Sequence, residues 1–312
     1  MDRHLGRLLA GGDGLVTRAE LLAATGSDST LRAALRRGEL VKVLHGAYAD
    51  TLLLGDRWLA CRAALRVAPP GAALSGLCAA AVLAPALDLP PRPRLTVGRE
   101  LRLQRRDVDA SRVGLAPAEV VVVDGMRVTA PLRTAVDVAR GGGRRVETLV
   151  VLDALLGRTG LAPAVVEARV AALTGRRADR GLVRAAALLA EVEPKAGSPM
   201  ETRTRLVYVD AGLPRPEAQV DVYDEVGGWL ARRDLAYREA KLGIEYLGEI
   251  HARQGPRHAD RRRRNVLALR SGDWLALEYG QEEVLWTPRL LVREAEEVLA
   301  VRAPHLLRGL RC

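Results

Sequence analysis

Two carboxylates at strand-like positions are the residues that first suggest chemistry. Asp234 lies in RRDLAY and Glu245 in GIEYLGEIH, and only a short turn separates the two segments. Antiparallel strands joined in this way bring both acids to one sheet face. Two carboxylates so placed converge on one Mg²⁺ or Mn²⁺ ion. Such an ion lowers the pKa of a bound water and neutralises charge that develops on a phosphodiester under attack. Glu201, on the preceding helix, adds a ligand through water, although SPME (Ser198 to Glu201) also makes it the fourth residue of a helix-capping pattern. His251 is placed to orient water or to protonate the leaving oxygen, or else is an ordinary loop histidine.

One residue works against this arrangement. Positions 245 and 247 share a strand face, and position 247 is Leu247, so an apolar group points at the expected ion. Lys241 shares that face but lies far along the strand, and Glu249 supplies a carboxylate only if the strand ends early. The site is therefore either an active centre or a weakened one that binds without cutting.

Positive charge suggests what would be bound. The net charge is +10, with a pI near 10.2, and only Lys42, Lys195 and Lys241 of the 48 basic residues are lysines. A compositional bias explains arginine over lysine but not the excess of positive charge, which points to a polyanion, most simply double-stranded DNA. Residues 251–270 carry seven arginines against one acid. Arg262, Arg263 and Arg264 are the candidate phosphate contacts there, with a solvated helix face as the plainer alternative.

The chain has 312 residues, enough for two or three domains. Hydrophobic residues at 48% and charged residues at 28% exclude a disordered chain. No run of 18 uncharged apolar residues is present, which excludes a membrane span, and the N-terminus lacks a signal-type apolar stretch. Cys61, Cys78 and Cys312 match no zinc spacing and form no disulfide framework, so reduced thiols and a cytoplasmic location are expected.

The elements that must position these residues are punctuated clearly at the front of the chain. LVTRAELLAATG opens with Thr17 and has Glu20 three residues on, a capping box, with Gly26 as its stop. A second helix, TLRAALRRG, follows GSDS, and LVKVLHGAYA reads as two strands turning at His45-Gly46. Helix, turn, helix and hairpin is the order of a winged helix-turn-helix, which would offer Arg32, Arg36 and Arg37 from its second helix and Lys42 and His45 from its wing.

Residues 51–194 alternate helices with short strands, among them RLTV, LRLQRRDV and AEVVVVDGMRVTA, the last turning at Asp124-Gly125. Arg133 and Asp137 are spaced for an intrahelical ion pair. EPKAGSP, residues 193–199, reads as a linker. Beyond it the order is α-β-β-β-α-β-α: a helix capped by Ser198, strands QVDVY, WLARRDLAY and KLGIEYLG, a helix over ADRRRRNVLALRSG, strand DWLALEY and a terminal helix. The expected fold class is α/β (α+β), with a winged helix-turn-helix over 1–50, an α/β domain over 51–194 and a restriction-endonuclease-like core over 195–312.

Two family resemblances sharpen this reading. GLVTRAELLAATG and GELVKVLHGAYA resemble the N-terminal winged helix of AbiEi-type antitoxins, the DNA-binding partners in type IV toxin–antitoxin systems, with Lys42 where an arginine is common. The likeness extends more weakly into AALSGLCAAAVLA and VDGMRVTAPLRTAVDVAR. It implies an α/β domain after the winged helix and a cognate toxin as a partner. Residues 198–300 resemble a Vsr-like endonuclease of the PD-(D/E)xK type, through Asp234 in RRDLAY, Glu245, Gly248 and His251 in GIEYLGEIH, and Asp260, Asn265 and Trp274 in ADRRRRNVLALRSGDW. That resemblance implies a Mg²⁺-dependent endonuclease of repair or defence. The rival expectation is an antitoxin-like transcriptional regulator with a degenerate, non-cutting nuclease domain.

Overall fold

The computed structural model describes residues 3–11, 13–101, 103–174, 180–224, 226–248 and 274–308. The chain divides into two compact units, Met1–Val138 and Ala139–Cys312.

The first unit opens with α1 (Arg3–Gly11), a helix that buries Leu5 and Leu9. Strand β1 (Leu15–Thr17) runs directly into α2 (Arg18–Thr25). Thr17 closes the expected capping box. Its Oγ1 accepts from the Glu20 backbone N–H at 3.1 Å, and its own N–H donates to the Glu20 carboxylate at 2.8 Å. Gly26 ends α2 in the left-handed region, and Ser27 caps α3 (Asp28–Arg36) by accepting from the Ser29 N–H. The hairpin β2 (Leu40–Leu44) and β3 (Ala47–Asp50) follows, and β1 adds to it to give a three-stranded sheet in the order β1-β3-β2. Leu5, Leu9, Leu21, Leu31, Ala34 and Tyr48 form one core beneath these elements.

Helix α4 (Leu59–Val67), strand β4 (Ala73–Leu74), helix α5 (Gly76–Leu83) and strands β5 (Arg94–Val97), β6 (Asp109–Arg112), β7 (Val120–Val123) and β8 (Met126–Thr129) complete the unit, and α6 (Pro131–Arg140) leads out of it. The five strands order as β6-β5-β4-β8-β7. Asp124 and Gly125 both take left-handed backbone (φ 48° and 74°), the two-residue turn whose twist matches flanking strands. Arg133 pairs with Asp137 at 2.9 Å, as its spacing anticipates, and also with Glu119 at 3.1 Å. Cys61 and Cys78 are buried free thiols in the core.

The stretch 101–108, expected as a strand, carries none among its described residues, and the strand comes later, at β6. Leu103 and Val108 do pack against the core. The side chains between them are engaged elsewhere. Asp107 accepts from the His45 backbone N–H at 2.6 Å and pairs with Arg105, which also donates to the His45 carbonyl.

The second unit contains α7 (Arg145–Thr159), α8 (Pro163–Thr174), α9 (Arg180–Leu189) and α10 (Pro199–Asp210). Ser198 caps α10 by accepting from the Glu201 N–H at 3.1 Å, with Pro199 in the first turn. Strands β9 (Glu217–Tyr223), β10 (Trp229–Tyr237) and β11 (Leu242–Tyr246) form an antiparallel meander, and β12 (Leu275–Tyr279) lies parallel to β11, giving the order β12-β11-β10-β9. The single terminal helix expected from sequence is broken at Pro288 into α11 (Gln281–Trp286) and α12 (Pro288–Arg302), because proline has no N–H to donate. Tyr208, Leu235, Tyr237, Ile244, Leu291 and Leu299 sit in the core between sheet and helices. The helix expected over ADRRRRNVLALRSG lies outside the described residues.

Residues 193–199, expected as a linker, fall inside this unit. The Glu193 N–H donates to Asp153 on α7 at 2.7 Å. Asp153 is fully buried and also receives Thr202 Oγ1 at 2.9 Å and Arg205 Nη2 at 3.0 Å, which ties α7 to α10. Among the described residues no single helix is long and apolar enough to cross a membrane.

Candidate functional site

In the first unit the candidate residues lie on α3 and the β2–β3 hairpin. Leu31 and Ala34 face the core, which turns Arg32 and Arg36, one helical turn apart, to solvent. Neither makes an ion pair among the described residues. Arg37 is also exposed, but Glu39 holds its guanidinium through two hydrogen bonds of 3.0 Å. Lys42 is exposed on β2, and His45 is exposed at the turn, whose backbone is clamped by Arg105 and Asp107. The clamp was not visible in sequence, since it joins residues some sixty positions apart.

In the second unit the carboxylates gather at one end of the sheet. Glu201, at the start of α10, is buried. Its carboxylate accepts from the Gly197 N–H and from Gln219 Nε2 on β9, both at 2.8 Å. The β10–β11 ladder ends at the Leu235–Ile244 pair, and just beyond it stand Asp234 on β10 and Glu245 on β11, near enough for their charges to interact. Its carboxylate replaces a ladder bond by accepting from the Tyr246 N–H at 2.9 Å. Burial, then the nearby Glu201 charge, pushes the Asp234 carboxyl up to about 6. Glu245 is likewise raised, by burial first and also by the charges of Asp234 and of Glu278, its partner on β12.

The residue that sequence reasoning missed is Arg233. It is buried beside Asp234, and its Nη1 donates to Glu245 Oε1 in a short ion pair. A signal was present: Arg233 alternates with Leu235 and Tyr237, both core residues, and a buried arginine demands an anionic partner. Gln219 was missed for a different reason, since its approach to Glu201 depends on its left-handed backbone (φ 53°).

Leu247 is half-buried, and its N–H donates to the Tyr279 carbonyl at 2.8 Å, extending the β11–β12 ladder. Lys241 sits exposed in the turn at the opposite end of β11 from Glu245. Glu249, His251, Arg262, Arg263 and Arg264 lie outside the described residues.

A divalent cation needs several free carboxylate oxygens in near-ideal geometry. Here Glu201, Asp234 and Glu245 each already have a donor, and no cluster of three metal-ligating side chains occurs among the described residues. At Glu245, Oε1, one of the oxygens that a Mg²⁺ or Mn²⁺ ion would use, is already taken by Arg233.

Comparison with known proteins adds a family to this geometry. Residues 70–191 match the AbiEi antitoxin C-terminal domain, from just before β4 through α9. The chain is also 35% identical over 278 residues to two Mycobacterium tuberculosis proteins, uncharacterized protein MT2308 of strain CDC 1551 / Oshkosh and uncharacterized protein Rv2248 of strain ATCC 25618 / H37Rv. Each alignment covers 85% of this chain and 94% of the relative.

Proposed function

The chain belongs to the family of uncharacterized proteins MT2308 and Rv2248 and carries an AbiEi antitoxin C-terminal domain, and from that premise we propose that it is a DNA-binding regulator of a toxin–antitoxin system. In this reading α2 and α3 with the β2–β3 hairpin act as a winged helix-turn-helix. Arg32 and Arg36 on α3 meet the edges of double-stranded DNA, and Lys42 and His45 meet its backbone. A cognate toxin is the second partner. The observation that carries the reading is the pair Arg32 and Arg36, exposed one turn apart on the helix that follows the tight turn and without ion pairs among the described residues. The net charge of +10 supports it. The test is a gel-shift titration on the DNA upstream of the protein's own gene. Arg32→Glu with Arg36→Glu abolishes the shifted band if α3 reads DNA, and undiminished binding by the double variant refutes the assignment.

A second reading, a Mg²⁺-dependent endonuclease, is favoured by one observation: Asp234 and Glu245 stand near each other on adjacent strands beside the start of α10. Plasmid nicking that depends on added Mg²⁺ or Mn²⁺ and disappears in Asp234→Ala decides for that reading. Its absence at all metal concentrations decides for the regulator.

A further inference from the structure

We propose that Arg233 is the resident cation of the acidic cluster in the second unit, and that it holds the place a divalent metal would otherwise take. Its guanidinium is buried and donates to Glu245 from the residue next to Asp234, so it supplies positive charge where the buried Glu201 and the half-buried Asp234 and Glu245 come together. Arginine does not lose its proton in proteins, so this compensation is permanent, unlike a bound ion. The Arg233 Nε finds no acceptor. The side chain is therefore not one member of a fully satisfied network, and charge compensation at Glu245 is the role its contacts leave it.

The chain makes room for this arginine. The stem of Arg233 lies against Gly243, where a Cβ would stand 2.8 Å from Cδ and 2.9 Å from Nε of Arg233. Any larger residue at 243 would push the guanidinium away from Glu245. A metal and the guanidinium compete for Oε1 of Glu245, and Mg²⁺ and Mn²⁺ bind weakly where they must displace a fixed charge. The inference deepens the regulator reading, on which its functional consequence rests: Arg233 offsets the Glu245 charge from within, which leaves the acidic cluster a poor site for the metal that cutting would need.

Manganese binding to the full-length protein, followed by the EPR signal of free Mn²⁺, tests the assignment. The wild type should show no saturable site below about 1 mM. Arg233→Gln should gain one site at least about tenfold tighter, lost again when Glu245→Gln is added. Arg233→Lys, which keeps the charge, should behave as wild type. A saturable wild-type site that Glu245→Gln removes overturns the proposal, as does an Arg233→Gln protein that is folded by circular dichroism yet binds no Mn²⁺. If Arg233→Gln does not fold, Gly243→Ala displaces the guanidinium without changing any charge. A new site in that variant supports the proposal and its absence refutes it. Gel shifts run in EDTA on the same proteins keep the two ideas separate, because loss of DNA binding by Arg32→Glu with Arg36→Glu does not depend on the Mn²⁺ result.

Discussion

Replacing Asp234 by asparagine is expected to stabilise the protein at neutral pH. The carboxyl titrates at about 6 in the folded chain against an ordinary value of 3.8, chiefly because it is partly buried and secondly because Glu201 is near. A raised folded value means that the folded state holds this proton more tightly than the unfolded state does. The stabilisation is therefore complete below about pH 4 and is lost as pH rises through about 6. A gap of about two pH units corresponds to roughly 3 kcal/mol at most. Asp234 is only half-buried, so water screens part of the effect, and about 1–2 kcal/mol is the realistic share. Asparagine removes the charge and keeps an oxygen to accept from the Tyr246 N–H. Thermal unfolding at pH 4 and pH 7.5 measures the outcome. The variant should match wild type at pH 4 and melt about 2–8 °C higher at pH 7.5, given 2–4 °C per kcal/mol for a unit of this size. A variant no more stable than wild type at pH 7.5, with an unchanged pH slope, would refute the account of burial and repulsion at this site.

Three further outcomes are expected. Arg205→Met leaves the buried Asp153 carboxylate without its counter-ion and should cost about 3–5 kcal/mol, while Asp153→Asn added to it should recover at least half by denaturant titration. Reversal of Arg32 and Arg36 to glutamate should weaken DNA binding at least about tenfold, and the wild-type affinity should fall steeply between low and moderate salt in gel-shift titrations. Replacing Arg105 by alanine frees the His45 turn from its clamp. It should leave the melting temperature nearly unchanged while speeding amide hydrogen exchange at residues 44–47.

Local signals in the sequence were reliable wherever a side chain answers a neighbouring backbone group. The Thr17–Glu20 box, the Ser198 cap and the Asp124-Gly125 turn all form as their spacing implies. So do β9, β10, β11 and β12, and in β9 alternate residues are buried. Helix α1 was not anticipated, since RHLGRLLAG is short, has no acid in its first turn and depends on burying Leu5 and Leu9 against distant residues. The acidic residues of the candidate site were legible, but their compensation was not. Arg233 reads as one more arginine in an arginine-rich chain, and its pairing with Glu245 depends on the room left by Gly243 across the ladder. The 193–199 segment misleads for the opposite reason: Pro, Gly and Ser suggest a flexible joint, yet Asp153 binds its first backbone N–H.

The family match and the physical units do not share a boundary, and ion pairs run from the matched segment into the rest of the second unit. Residues 70–191 begin in the first unit and end with α9 in the second. Within the second unit α7, which belongs to the matched segment, is fastened to α10, which does not. Arg145 pairs with Asp210, Glu147 with Arg203 and Asp153 with Arg205, so three charged links run along the two helices. The outer two are partly exposed and contribute little, but Asp153 and Arg205 are both about 1% exposed, and neither tolerates loss of the other. Helix α10 in turn carries Glu201 into the acidic cluster and Tyr208 into the sheet core. The antitoxin-like segment therefore supplies the counter-charge that lets α10 bury Arg205, and through α10 it positions one of the three carboxylates. The joint has a physical reason to persist, because removing α7 would leave Arg205 buried without an anion and free the helix that carries Glu201.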